Sequence, residues 1–306
     1  MVRVSRLATG LGAAASVVSG LTIPDVDENG VQVALGFDPT QAFYVAESSV
    51  HTETVNYDPA VLLAMGDLVA EPSNHTDVEL AERAIYGADD RQNWEDGNYP
   101  YSAIGKVRWS NGVWCTGTLV GPRHVITARH CTPTNGENVS VRFSPFYYNG
   151  ETRYPGSQVT TYIYSTDTSG SCLYGLDWAI HILQDRIGEQ RGYFGARTMS
   201  SQWLNRDIFY NGPSPVGYPG DRNNGERPIR SGGSRLFESG GCGSDSPTLG
   251  NIDTAGGQSG GPIWEYPGTG DRYVMGTLYG SSSASSVWAT GQTLVNAVIS
   301  ARNDFR

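Results

Sequence analysis

The chain has 306 residues and a net charge of −10, with only 17% charged residues, 39 glycines and 17 tyrosines. The acidic balance weighs against nucleic acid or anionic membrane as a partner, because both would repel it. Short apolar runs between frequent turn residues exclude a helical bundle and favour an all-β protein, long enough for one large or two small domains.

Residues 1–20 carry Arg3 and Arg6, an Ala/Gly/Val-rich run to Val18 and an end in small residues, the pattern of a secretory signal peptide cleaved after Gly20. The run is too short and too mildly apolar to anchor in a membrane. Residues 21–82 hold many acids and not one Lys or Arg, a composition shift that ends at Arg83 and reads as an acidic propeptide over 21–83. A disordered acidic tail has the same composition. Within it, the V-L-L-A-M cluster in 59–68 is expected to pack against the domain that follows. Asn74 in N-H-T and Asn138 in N-V-S are glycosylation sequons.

From Tyr101 onward, strand patterns at 102–109, 113–120, 125–127, 140–148, 158–164 and 178–183 suffice for one closed six-stranded barrel. Further strands at 208–210, 214–217, 228–232, 262–266 and 273–279 repeat the theme. Thr290 is the expected cap of a terminal helix that places Leu294, Val298 and Ile299 on one face. Four cysteines allow three pairings. With no C-x-x-C and no clustered His/Cys, no metal site is expected, and nothing calls for a cofactor.

Three segments carry chemistry. Residues 253–264 read D-T-A-G-G-Q-S-G-G-P-I-W, setting Ser259 among four glycines on backbone that bends freely and lets consecutive N–H groups face one cavity. A serine hydroxyl becomes a nucleophile only when a base takes its proton and a third group orients that base. Residues 125–131, V-I-T-A-R-H-C, end an apolar strand at His130, and residues 175–183, G-L-D-W-A-I-H-I-L, place Asp177 at the mouth of another. His51, His75, His124 and His181 have ordinary packing, surface or propeptide explanations.

In the order His, Asp, Ser, these segments resemble the signatures of the chymotrypsin-fold serine proteases. I-Y-G-A-D-D-R at 85–91, Y-P-Y at 99–101, G-Y-F-G at 192–195 and G-Y-P-G-D at 217–221 are similar to the glutamyl endopeptidase branch. The resemblance implies two six-stranded antiparallel β-barrels, about 84–190 and 191–306, a C-terminal helix, and a mature chain starting near Ala84. It implies a bridge between Cys115 and Cys131, which leaves Cys172 with Cys242. It also implies a secreted, monomeric endopeptidase acting on polypeptide substrates, whose partner before activation is its own propeptide. Ser259 is then the nucleophile, His130 the base, Asp177 the orienting acid, and the N–H groups of Gly257 and Ser259 the oxyanion hole. A catalytically inactive binding protein of the same fold and an esterase with the same triad are the alternatives.

Primary specificity stays open at this stage. Asp253 stands where trypsin-like relatives place an acid that selects Lys or Arg, yet glutamyl endopeptidases carry D-T-x-G-G as well. Their pocket histidine is replaced here by Thr277 or Leu278. Thr254, Leu278, Tyr279 and Gly280, with Ser281, are the expected pocket residues. In many relatives a new N-terminus pairs with an acid directly before the nucleophile. Here that residue is the neutral Gln258, so activation is expected to work by removal of a covering segment.

Overall fold

The computed structural model describes residues 35–43, 52–72, 89–133, 139–165, 172–205, 207–208, 214–232, 234–265, 271–281 and 285–306. The expected signal peptide, the processing point at Arg83 and Ala84, and both sequons lie outside them. In chain order the elements are β1 (Gly36–Phe37), β2 (Glu53–Tyr57), α1 (Pro59–Leu63), β3 (Gln92–Asn93), β4 (Ile104–Trp109), β5 (Val113–Gly121), β6 (His124–Ala128), β7 (Val141–Pro145), β8 (Ser157–Ser165), β9 (Trp178–Leu183), α2 (Gly188–Arg191) and β10 (Gly195–Ala196). There follow β11 (Asp207–Ile208), β12 (Ser214–Gly217), β13 (Ile229–Arg230), β14 (Ser234–Glu238), β15 (Thr248–Gly250), β16 (Pro262–Glu265), β17 (Tyr273–Ser281), β18 (Ser286–Thr290) and α3 (Gln292–Asp304).

The first sheet runs β5-β4-β7-β8-β9-β6 and closes on itself through the β5–β6 pairing. Closure removes the barrel's open edges except at the start of β5, which lies beyond the β6 pairing and takes up β1. Val107, Leu119, Val125, Ile126, Phe143, Val159, Ile163 and Ile180 on its strands are all fully buried. These are the alternating and β-branched positions that made the first-half strands visible in the sequence.

The second sheet runs β14-β15-β18-β17-β16-β12, with β11 beyond β14 and β13 and β3 beyond β12. Its end strands β12 and β14 are not paired with each other among the described residues, so it forms an open half-barrel. Leu236, Ile252, Ile263, Met275, Leu278 and Trp288 make its core. Besides the two-residue β3 and β10, the sequence expectation lacks three strands of this sheet, β14, β15 and β18. Each is three to five residues long and sits among Gly, Ser and Pro, so too few apolar positions recur to give a period-2 signal. Both disulfides are formed, Cys115–Cys131 and Cys172–Cys242. No helix among the described residues is long and apolar enough to cross a membrane.

The terminal helix departs from expectation at its start. Thr290 is the last residue of β18, and its hydroxyl donates to Ser246 O at 2.9 Å. Gly291 turns the chain at φ +131°, and the first turn of α3 is held by Asp245, whose Oδ1 accepts from both Thr293 N and Thr293 Oγ1 at 3.0 Å. A carboxylate from a distant loop thus satisfies a helix-end N–H that local sequence was expected to cap.

Leu294 and Val298 are fully buried, and so are Val295, Ala297 and Ala301, because α3 is covered on more than one side. The outer cover is α1 and the residues after it. Asn296 Nδ2 donates to Leu62 O at 2.7 Å and Gly66 O at 2.9 Å, Arg302 Nη1 donates to Glu71 O at 2.7 Å, and Leu62 is 3% exposed within the main core. Of the apolar cluster before Arg83, Leu62 and Met65 pack on the domain, while Val61 and Leu63 are exposed.

Replacing Asp245 by Ala should lower stability by about 1–2 kcal/mol, the usual loss for a helix cap. Asp245→Asn should retain part of it. Denaturant midpoints of the two variants check this, and equal midpoints for wild type and D245A would refute the capping role.

Candidate active site

Strand β6 delivers His130 and strand β9 delivers Asp177. The two pair antiparallel with Ala128 opposite Trp178, which sets the residue after β6 beside the residue before β9. A 3-10 turn at Arg129–Cys131 follows, tied down by Arg129 N donating to Asp177 O at 3.2 Å. The Asp177 carboxylate, 4% exposed, then takes two bonds from one residue: His130 Nδ1 at 2.7 Å and the His130 backbone N–H at 3.1 Å. Holding ring and backbone together fixes the imidazole and its tautomer. Nε2 of the same ring is buried without a hydrogen-bond partner among the described residues. The Cys115–Cys131 bridge fastens the turn to β5, and the Tyr279 ring meets the imidazole edge-on at 5.7 Å between centroids.

Ser259 arrives from the second sheet, on the loop before β16. Thr116 N donates to Ser259 O at 2.9 Å, and Gly260 N donates to Leu278 O at 2.8 Å, so the loop is pinned between β5 and β17. Gly260 lies at φ +78°, and a Cβ there would stand 2.1 Å from Thr127 Oγ1. No other residue fits so close to the first barrel. Ser259 Oγ, 3% exposed as a residue, lies 3.5 Å from Tyr279 O and is not hydrogen-bonded to the imidazole.

Among the described residues, the loop before Ser259 is held by its own side chain and backbone groups. Gln258 Oε1 accepts from Ala255 N at 2.7 Å, while Gln258 N donates to Ala255 O at 3.1 Å. A neutral amide thereby closes the turn on itself. Gly256 O accepts from Gly220 N at 2.7 Å, and in a trans peptide the next N–H, that of Gly257, points the opposite way. Gly257 sits at φ +94°, where a Cβ would stand 2.3 Å from Trp114 Nε1. Its carbonyl accepts from Thr116 Oγ1 at 2.9 Å, and that hydroxyl in turn accepts from Tyr218 N at 3.0 Å. Neither the Gly257 nor the Ser259 N–H is engaged by a backbone carbonyl among the described residues.

Beside Ser259 opens a recess of about 210 Å³ lined by Thr254, Ala255, Gly256, Ser259, Leu278, Gly280 and Ser281. No charged side chain lines it. Of the expected pocket residues, Thr254, Leu278 and Gly280 are in its wall, with Ser281. The Tyr279 ring instead faces His130 and Tyr174. Asp253 is exposed and outside the wall, and its carboxyl is held above the ordinary range by partial burial and by the carboxylates of Asp89 and Asp90. Among the other histidines, His181 Nε2 pairs with Thr132 Oγ1 at 2.9 Å and His124 Nε2 with Ala301 O at 3.0 Å. Burial lowers their pKa values to about 3 and about 4, so both are neutral packing groups. No group of three or more His, Cys, Asp or Glu that could hold a metal ion occurs among the described residues.

Thr116, Gln258 and Gly220 hold the serine loop, and of these the sequence singled out only Gln258. The C-T-G-T run after Trp114 carries no periodic or motif signal of its own. Its importance appears only when β5 meets the loop 141 residues later in the chain, at Gly257.

The Trypsin family model matches residues 90–299. A glutamyl endopeptidase of Bacillus licheniformis is 32% identical over 203 residues, 64% of this chain and 59% of that protein's length. Inactive serine protease 35 of Mus musculus is 40% identical over 72 residues, 21% of this chain and 17% of its own. The chain therefore spans less than two thirds of either relative. A solved Glu endopeptidase in complex with MPD shares the fold, with a TM-score of 0.59 at 18% identity over 71% of this chain and 98% of its own.

Replacing Thr116 by Val keeps the shape of the side chain but removes its hydroxyl, leaving the Gly257 carbonyl and the Tyr218 N–H without their partner. A loss of about 1–3 kcal/mol is expected from such stranded groups, seen as a lower denaturant midpoint. An unchanged midpoint would show that the hydroxyl is not the pin.

Proposed function

Because the chain belongs to the trypsin family, we propose that it is a secreted serine endopeptidase in which Ser259 attacks the scissile carbonyl, His130 moves the proton and Asp177 holds the imidazole. The single observation that carries this reading is the pair of hydrogen bonds that His130 donates to the Asp177 carboxylate, from Nδ1 and from the backbone N–H, which leaves Nε2 unpartnered among the described residues. The reading requires the Ser259 side chain to turn from the Tyr279 carbonyl toward that nitrogen; catalytic hydrogen bonds of this kind often tighten only with substrate bound.

As Oγ attacks, Nε2 takes its proton and the imidazolium is stabilised by Asp177. The same proton then goes to the leaving amine, and water, activated by Nε2, hydrolyses the acyl-enzyme. The N–H groups of Gly257 and Ser259 receive the carbonyl oxygen as it becomes negative, a contribution of about 3 kcal/mol for one such donor. The two disulfides and the leader pattern of residues 1–20 support export to an oxidising compartment. Processing beside Arg83 would separate a protease domain over 84–306 from residues 21–83.

The recess supports selection of the residue before the cut by size and by the hydroxyls of Thr254 and Ser281, with no ion pair to Asp253. Of the two alternatives, an inert binding protein leaves Ser259 unreactive, and an esterase leaves casein intact.

Processed enzyme should label at Ser259 with a fluorophosphonate and cleave casein. Ser259→Ala should abolish both, and Asp177→Asn should lower kcat by about 10⁴-fold through the wrong tautomer. Full proteolysis by S259A would overturn the reading. Asp253→Asn should change the ratio of kcat/KM for Lys and Glu substrates by less than about threefold, where an acid at a pocket base would shift it far more.

A further inference from the structure

The residues that precede the protease domain do more than pack on its back. Strand β1 pairs antiparallel with the start of β5, Gly36 opposite Trp114 and Phe37 opposite Val113. The run continues along the β4–β5 turn, with Asp38 N donating to Gly112 O at 3.0 Å and Phe43 N to Ser110 O at 3.1 Å. Two residues beyond Trp114, Thr116 N donates to Ser259 O, and the intervening Cys115 bridges to Cys131 next to His130. The edge that β1 occupies therefore begins beside the nucleophile, on the side of the imidazole. The recess for the residue before the cut lies on the other side, along Leu278 to Ser281.

An extended substrate centred on Ser259 places its acyl half at that recess and its leaving half along β5. An added strand is the ordinary way a peptide binds such an edge. We propose that residues 35–41 occupy this edge in the full chain and so exclude the residues of a substrate that follow the scissile bond, leaving the triad and the recess accessible. The inference rests on the endopeptidase reading and adds where, and by which residues, the unprocessed chain is restrained.

The fit at the edge is close and specific. A Cβ on Gly36 would stand 2.0 Å from the Trp114 ring, so its backbone lies directly on the indole, and the same indole backs Gly257. Gln41 Oε1 accepts from Lys106 Nζ at 2.6 Å, while Gln41 Nε2 donates to Asn224 O at 3.1 Å and Asn224 Nδ2 donates to Asp38 Oδ2. Lys106 is fully buried, its ammonium over the rings of Trp114 and Tyr147 at 4.2 Å and 4.7 Å, with Glu226 Oε1 at 3.7 Å. A buried ammonium seeks every acceptor within reach, and this one finds an acceptor in the segment.

Residues 52–72 supply the tether. Strand β2 adds in parallel to β8, from Glu53 opposite Thr161 to Tyr57 opposite Ser165, and α1 lies against α3. Anchored there, the strand keeps a high local concentration at the edge even where its own pairing is short. A cut beside Arg83 leaves both contacts in place, so the edge opens only when the segment departs.

The test compares the full chain, its integrity checked by intact mass, with Gly36→Val, whose side chain collides with Trp114, and with Gln41→Ala. Two rates are read: fluorophosphonate labelling of Ser259, which needs no leaving-side residues, and kcat/KM for an internally quenched peptide extending several residues past the cut. Labelling should stay within about threefold of wild type in both variants. Peptide cleavage should rise about tenfold or more as the tethered competitor is lost. Equal labelling with unchanged peptide cleavage overturns the inference and leaves the endopeptidase reading standing. A full chain that resists labelling while processed enzyme labels overturns it too. If neither form labels, the endopeptidase reading falls with it.

Discussion

Thr116 joins the two halves of the molecule. Its backbone N–H holds Ser259 O, its hydroxyl bridges Gly257 O and Tyr218 N, and its own carbonyl accepts from Thr127 Oγ1 at 2.7 Å. One residue on β5 therefore fixes the loop carrying the serine, the strand end at Tyr218 and the strand that leads to the histidine. Every polar atom it has is used, at zero exposure, where an unmade hydrogen bond would be at its most unfavourable. The geometry of the site depends on this pin more than on any contact inside either sheet.

The site also depends on two glycines for a reason that is steric as much as conformational. Gly257 and Gly260 carry positive φ, but each also has a neighbour where a Cβ would be, Trp114 Nε1 in one case and Thr127 Oγ1 in the other. The serine loop can approach the first barrel at Trp114 and Thr127 this closely only because nothing projects from it at these two positions. Gln258 complements this. By bonding its own loop at Ala255 it orders the turn from within.

Residues 52–72 cover the outer side of α3 and contribute Leu62 and Ala70 to the core. They turn α3 from an amphipathic surface helix into one buried around most of its girth, and they satisfy Asn296 and Arg302, polar groups that burial would otherwise strand. Arg302 shows the consequence: its guanidinium, bonded to Glu71 O, Phe194 O and Val120 O, is pulled down to a pKa of about 10 by desolvation.

Local patterns in the sequence singled out His130, Asp177 and Ser259 as candidates, and made legible the six strands of the closed barrel and the apolar cluster before Arg83, of which Leu62 is buried. A strand with one buried face writes its period into consecutive residues, and a nucleophile on a tight turn needs its glycines beside it. Tertiary structure alone decided the rest. Asp245 caps α3 from 48 positions away, and Asp253, which counting back from Ser259 put at the pocket base, lies exposed outside it. Strands β14, β15 and β18 take their place by pairing with neighbours, since each is too short to declare itself. Trp114 and Gln41 acquire meaning only where β1 crosses β5. These are contacts between segments far apart in the chain, and no local periodicity encodes which distant group will meet a given N–H, indole or ammonium once the two sheets have closed on each other.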